Sequence, residues 1–155
     1  MESDVLQIFL SIFTEVKFGV GDRIGRYSSV IYSENSIEPI ALNRIQSDKF
    51  PVGQELYTDW IEKNRVRLDY THVTDLQYYT VLEYEEFLKY SEKYDSWSVW
   101  YQIGLPGLSP DRNQALIQVS ALCTAGPPNY SELQLLTRKE SGGWKVDSRY
   151  GIYNQ

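Results

Sequence analysis

The sequence predicts an α+β protein, with an antiparallel sheet of four to six strands covered mainly on one face by two or three helices. The last third of the chain, Trp97 to Tyr153, contains alternating segments joined by short loops. Parallel neighbours would need a crossover of about a dozen residues, so these loops favour an antiparallel meander. Upstream, three segments are predicted to be helices, two of them from apolar residues that share one helical face.

A chain of 155 residues has the size of one domain, and we assign residues 1–155 to a single α+β domain. A chain of this length buries about 68–70% of its unfolded surface, so it can fold without disulfides or metals. The apolar content of 42% and the aromatic content of 14% support a packed core.

The first predicted helix begins at Ser3 or Asp4 and ends at Gly19 to Gly21. Its apolar residues recur every three or four positions, which places them on one stripe that we expect to pack on the sheet: Val5, Ile8, Phe9, Ile12, Phe13 and Val16.

The middle of the chain is less regular. Arg26–Tyr32 is a strand or a continuation of the helix, and Ile37–Ile45 is expected to be extended because Pro39 hinders a helix. Gln54–Asn64 has a helical pattern, Leu76–Leu82 has the composition of a strand, and Glu83–Lys93 has a helical pattern with an acidic first turn and a basic last turn.

The meander begins with Ser98–Ile103 and continues with Gln114–Cys123, whose odd-numbered side chains are all small or medium apolar and are expected in the core. Pro127 and Pro128 are predicted to interrupt the ladder. Ser131–Arg138 forms the next strand. The closing strand is predicted to carry four side chains on one face: Trp144, Val146, Ser148 and Tyr150.

Short motifs in the last 60 residues resemble an uncharacterised family of bacterial proteins. They are Gly107-Leu-Ser109, Gln114-Ala-Leu116, Leu135-Leu136 and Gly143-Trp-Lys-Val146. The resemblance implies a bacterial source and a strand-turn-strand architecture. It implies no activity.

The net charge is −6, from 15 basic and 21 acidic residues. This balance disfavours nucleic acid and an anionic membrane as partners, because both attract clustered Lys and Arg, and it permits a basic protein partner. A single cysteine indicates a reducing compartment. The acidic start and the absence of an apolar run of about 18 residues predict a soluble cytoplasmic protein without a membrane segment.

Catalytic chemistry has little support in the sequence. His72 is the one side chain whose unperturbed pKa lies near neutrality, and its use as a general base stays open, but no nucleophile elbow accompanies it. Cys123 is expected to be a small buried side chain. We predict no catalytic residue, no metal site and no cofactor, and we favour a protein that is not an enzyme.

The segment from residue 78 to residue 101 interleaves aromatic and acidic side chains. Tyr and Trp supply contact area at interfaces, and carboxylates attract a basic partner, unless the rings only fill the layer between helix and sheet. The predicted binding residues are Tyr78, Tyr84, Glu85, Glu86, Tyr94, Asp95, Trp97 and Trp100.

The favoured function is therefore that of a non-enzymatic, acidic protein that binds a basic protein partner, with the neutralisation of a toxin by an immunity protein as one form of it. One alternative is a pocket lined by Trp and Tyr for a small molecule, with or without catalysis, in a cone-like fold that resembles the nuclear-transport-factor-2-like group. Another alternative is a structural protein or oligomer subunit.

Overall fold

A computed structural model of the chain describes residues 3–18, 28–70, 79–83, 85–89, 98–123 and 126–154. In chain order the helices and strands are α1 (Ser3–Phe18), β1 (Ser28–Tyr32), α2 (Leu42–Ser47), α3 (Gln54–Lys63), β2 (Tyr79–Leu82), α4 (residues 85–89), β3 (Ser98–Ile103), β4 (Gly107–Leu108), β5 (Gln114–Cys123), β6 (Gly126–Arg138) and β7 (Trp144–Asn154).

Within the described residues these strands form one seven-stranded mixed sheet in the order β2-β1-β3-β5-β6-β7, with β4 also paired to β5. The α+β class and the antiparallel meander from β3 to β7 are confirmed. The prediction of a purely antiparallel sheet of four to six strands is wrong, because β1 pairs in parallel with both β2 and β3. Helices α2 and α3 lie between β1 and β2 in the chain, which makes this connection long enough for parallel pairing.

Strand β5 separates two apolar clusters on opposite faces of the sheet. Its odd-numbered side chains from Ala115 to Ala121 are at most 1% exposed and pack with Ile8 and Phe9 of α1, as predicted. The side chain of Leu116 points the other way and packs with Trp60 of α3. The helices therefore cover both faces, which corrects the prediction that they lie mainly on one.

Helix α2 corrects a second prediction, that Ile37–Ile45 is extended throughout. The backbone is extended at Ala41 (φ −61°, ψ 136°), and the helix begins at the next residue. Ile45 is fully buried in the cluster that contains Trp60, so burial of this side chain accounts for a short helix after Pro39.

Strand β7 does not keep one face toward one cluster. Val146 pairs with Leu136, whereas Ser148 pairs with Leu135, so one extra residue of β7 lies in a bulge. A one-residue insertion moves the following side chains to the opposite face. Trp144 and Val146 consequently pack in the α1 cluster, and Tyr150 packs in the α2–α3 cluster, contrary to the predicted common face.

The two prolines do not end the β5–β6 ladder. Leu122 pairs with Asn129 and Cys123 pairs with Gly126, so the register skips Pro127 and Pro128. A bulge is one of the few places in a sheet that tolerates a residue without a backbone donor.

An ion-pair cluster holds the first turn of α1 to the sheet. Asp4 accepts hydrogen bonds from Arg112 (2.6 Å) and from Arg138 (2.9 Å), and the guanidinium of Arg138 lies 4.7 Å from the ring centroid of Trp144. The hydrogen bond from Arg112, with the bond and charge of Arg138, lowers the pKa of Asp4 despite partial burial. This carboxylate therefore stays ionised, and its negative charge interacts favourably with the positive N-terminal end of the α1 dipole.

Candidate functional site

The site begins with four side chains on neighbouring strands that share the α3 side of the sheet. Trp100 pairs with Leu122, and Gln102 pairs with Ser120, so the four side chains form a compact block across β3 and β5. Leu122 is 40% exposed, and the other three are half-buried. We call these four residues the Trp100 block.

Helix α3 does not cover this block because it packs at the other end of the same face. A Cβ atom on Gly107 would lie 2.5 Å from the backbone nitrogen of Trp60, so β4 and α3 approach each other backbone to backbone. Gln118 marks the limit of the cover: it is 1% exposed, and its Oε1 accepts the backbone N–H of Glu38 at 2.8 Å. Ser120, two residues further along β5, is only half-buried.

Aromatic contacts place α4 on the opposite side of the block. The ring of Phe87, which is 3% exposed, lies 5.0 Å from the ring of Trp100, and Tyr32 contacts Trp100 edge-on at 6.3 Å. These contacts hold the indole in position. Trp100 can therefore present a fixed surface to a ligand at little cost in side-chain entropy.

Between the covered end and α4 the sheet face forms a depression of about 80 Å³. The block lines its walls together with the backbone side of Ala121. Pockets for drug-sized ligands measure about 300–1,000 Å³, so this depression suits a single side chain or a small group. It does not have the size that the small-molecule alternative requires.

Acidic side chains lie at the start of α4, the helix whose Phe87 contacts Trp100. Glu83, Glu85 and Glu86 are all exposed, and the backbone N–H of Glu83 donates to the Glu86 carboxylate at 3.2 Å. This bond is the returning half of a capping box, and it orders the first turn of α4. The carboxylates are hydrated, so they attract a cation over a distance without a large desolvation cost.

The structure brings three predicted site residues into one region: Trp100 lies in the block, and Glu85 and Glu86 lie on the adjacent α4. The other predicted residues lie outside the described residues, namely Tyr78, Tyr84, Tyr94, Asp95 and Trp97. His72 and the side chain of Cys123 lie outside them as well. The prediction did not include Gln102, Ser120 and Leu122. The signal for Ser120 and Leu122 was the even-numbered face of Gln114–Cys123, which mixes polar and apolar residues.

A second polar cluster lies under α3, and its geometry is structural. The amide of Asn64 donates to the carbonyls of Trp60 (2.8 Å) and Leu105 (2.9 Å), and its oxygen accepts the N–H of Leu105 (2.8 Å) and the amide of Asn35 (3.1 Å). Asn35 is fully buried. Because this amide pair uses its donors and acceptors internally, it offers none to a ligand.

Other groups on the described part of the chain give no catalytic arrangement. Burial raises the pKa of Tyr70, whose hydroxyl faces the carbonyl of Ile103 at 3.4 Å inside the α1 cluster. Burial, with the charge of Glu132, raises the pKa of Tyr130 to about 12. A tyrosine with a raised pKa is a poor base at neutral pH. Among the described residues, no three His, Cys, Asp or Glu side chains cluster as a metal site would require.

No helix within the described ranges is both long and apolar enough to cross a bilayer. No protein-family model matches the chain, and neither a curated protein nor a solved structure matches it.

Proposed function

We propose that this protein is a non-enzymatic binding protein, and that its partner is a basic protein that contacts the Trp100 block and α4. The observation that carries the proposal is a group of exposed carboxylates at the start of α4, the helix whose Phe87 packs on the partly exposed Trp100. Tyr32 contacts the same indole. Neutralisation of a basic toxin, as an immunity protein does, is the specific form of this function that we propose.

Each half of this surface supplies a different part of binding. The carboxylates of α4, in a chain of net charge −6, speed the approach of a basic partner and orient it. Trp100 and Leu122 supply apolar area that loses water on contact, and Trp is among the residues that most often dominate the free energy of binding.

The test uses selection of displayed random peptides on the purified protein. We expect the recovered peptides to be enriched in Lys and Arg relative to the library. Reversal of charge on α4 by Glu85→Lys with Glu86→Lys should abolish this enrichment, because the field that attracts basic peptides would change sign.

The matched control is Glu55→Lys with Glu140→Lys, which makes the same change in net charge at two exposed positions away from α4. This variant should recover basic peptides nearly as well as the wild type does. Equal losses in both double variants would mean that net charge alone attracts peptides. Selected peptides without a basic bias would contradict the proposal.

A further inference from the structure

The depression in the Trp100 block contains the end of a hydrogen-bond chain whose direction can be assigned. The chain starts at the backbone N–H of Glu38, which can only donate, so the atom of Gln118 that it contacts at 2.8 Å is the amide oxygen. The Gln118 amide nitrogen then donates to the hydroxyl of Ser131 at 3.0 Å.

The next bond follows from the burial of Ser131, which is fully shielded from solvent. Its hydroxyl accepts the Gln118 amide and lies 2.8 Å from the hydroxyl of Ser120. A buried hydroxyl proton without an acceptor is costly, and Ser120 is the acceptor within reach. The direction that satisfies both groups has Ser131 donate to Ser120, and this direction leaves the proton of Ser120 for a further acceptor.

The direction of these hydrogen bonds determines which chemical group the depression can bind. A hydroxyl that accepts one hydrogen bond becomes a stronger donor in the next, so Ser120 presents a strengthened O–H group among the residues that line the depression. Trp100 and Leu122 provide apolar walls on the same face. A complementary group has an apolar body and a hydrogen-bond acceptor directly beside it.

We infer that the depression holds one aliphatic side chain of the basic partner while Ser120 donates a hydrogen bond to the main-chain carbonyl of that same residue. This inference rests on the proposed function, because the acidic α4 beside the depression is what selects a basic polypeptide as the occupant. Lys or Arg residues next to the aliphatic residue then face Glu85 and Glu86, and the partner sequence is a basic stretch interrupted by one aliphatic residue.

The size of the depression agrees with such an occupant. An engineered cavity of about 150 Å³ holds benzene, so a volume of about 80 Å³ accommodates an aliphatic side chain and is too small for an aromatic ring. Gln102 stands across from Ser120 in the register, and its amide can donate to or accept from the adjoining peptide group.

The experiment is an NMR titration of the isotope-labelled full chain, which measures dissociation constants into the millimolar range. The probes are three capped pentapeptides: four lysines with a central leucine, four lysines with a central glycine, and four glutamates with a central leucine. We expect the lysine–leucine peptide to bind at least tenfold more tightly than the other two and to shift the signals of Trp100 and Ser120.

Ser120→Ala should weaken binding of the lysine–leucine peptide about tenfold, as expected for a lost hydrogen bond, and leave the lysine–glycine peptide unchanged. Leu122→Ala, which leaves the hydrogen-bond chain intact, should weaken the same peptide through loss of an apolar wall. Thermal unfolding of both variants checks that the fold persists. Replacement of the amide bond that follows leucine with an ester should have less effect on Ser120→Ala than on the wild type.

The outcomes separate this inference from the proposed function. Suppose that Ser120→Ala binds the lysine–leucine peptide as tightly as the wild type does, while Glu85→Lys with Glu86→Lys does not bind it. The hydrogen bond from Ser120 to the peptide carbonyl is then excluded, and the proposal of a basic partner is retained. If the glutamate peptide binds as well as the lysine peptides, both proposals fail. Equal affinity for the leucine and glycine peptides would also contradict the inference, because the depression would then not hold an aliphatic side chain.

Discussion

The two ends of one sheet face differ in what lies over them. At the covered end Leu116 is fully buried, Gly107 admits the backbone of α3, and Asn64 has partners for its whole amide. At the open end Trp100 and Leu122 are partly exposed, and Ser120 is only half-buried. Leu116 and Leu122 lie on the same strand, β5, and on the same even-numbered face.

This difference shows how one fold separates stability from recognition. Buried apolar area and satisfied polar groups at the covered end contribute to the free energy of folding. The same kinds of groups at the open end contribute little until a partner removes them from water. The substitutions below test this division, from the largest expected change in stability to the smallest.

Leu116→Ala should show the largest effect, because Leu116 is fully buried. The same substitution at Leu122 provides the comparison at the other end of β5. We expect a loss of about 3–4 kcal/mol in the free energy of unfolding, from lost burial and the cavity left behind. Leu122→Ala, at 40% exposure, should cost less than about 1 kcal/mol. Chemical denaturation measures both, and equal costs would mean that the two ends do not differ as described.

Gly107→Ala tests the close approach of β4 and α3. The added methyl group would lie 2.5–2.6 Å from backbone atoms of Trp60, so the helix has to move, at a cost of about 2–3 kcal/mol. Gly151→Ala is the matched control in β7, because a Cβ there meets nothing within 4 Å. Differential scanning calorimetry should show a lower Tm for the first variant alone.

Asn64→Ala removes the amide that joins α3 to Leu105 and Asn35. The N–H of Leu105 and the amide of Asn35 would both lose a partner, and we expect a loss of about 2 kcal/mol in the free energy of unfolding. Asn43→Ala, at an exposed position of α2, should change it by less than about 0.5 kcal/mol. Urea denaturation measures the free energy of unfolding of the two variants. An unchanged value for Asn64→Ala would show that this cluster does not stabilise the fold.

Asp4→Asn tests the ion pairs on the opposite face, where Asp4 joins α1 to two partly exposed arginines. We expect a loss of about 1 kcal/mol at pH 7, reduced from the value of a buried pair by solvent screening. The folded-state pKa of Asp4 is lowered, so this contribution is present above the unfolded pKa of about 3.9 and is lost as pH falls through the folded pKa. The difference in stability between wild type and variant should therefore begin to shrink as pH falls below about 4 and vanish below the folded-state pKa. A difference that stays constant down to about pH 2 would exclude the ion pair as its cause.

Several elements could be predicted because their signal is local. The alternation of Gln114–Cys123 identified the buried face of β5, confirmed from Ala115 to Ala121. The stripe of α1 is confirmed at Val5, Ile8, Phe9 and Ile12, and the side chains of Phe13 and Val16 lie outside the described residues. Helix α3 and strands β1 and β2 also lie within predicted segments. The parallel pairing of β1 could not be predicted, since a strand composition contains no information about which neighbour it pairs with.

The candidate site could be predicted only in part. Trp100, Glu85 and Glu86 lie in one aromatic and acidic segment, so the sequence indicates them together. Ser120 and Leu122 join them through the β3–β5 register, which pairs residues about twenty positions apart. The bulge in β7 likewise moved Tyr150 to the other face without any glycine or proline at the bulge to mark it.

By itself, the sequence determined the α+β class, the buried face of β5, the helical stripe of α1 and the acidic character of the protein, because periodicity and charge are properties of neighbouring residues. Tertiary structure alone decided the mixed pairing, the cover on both faces and the depression between α3 and α4. Each of these depends on which surfaces meet, and a contact between distant segments is set by the shape and volume of both partners.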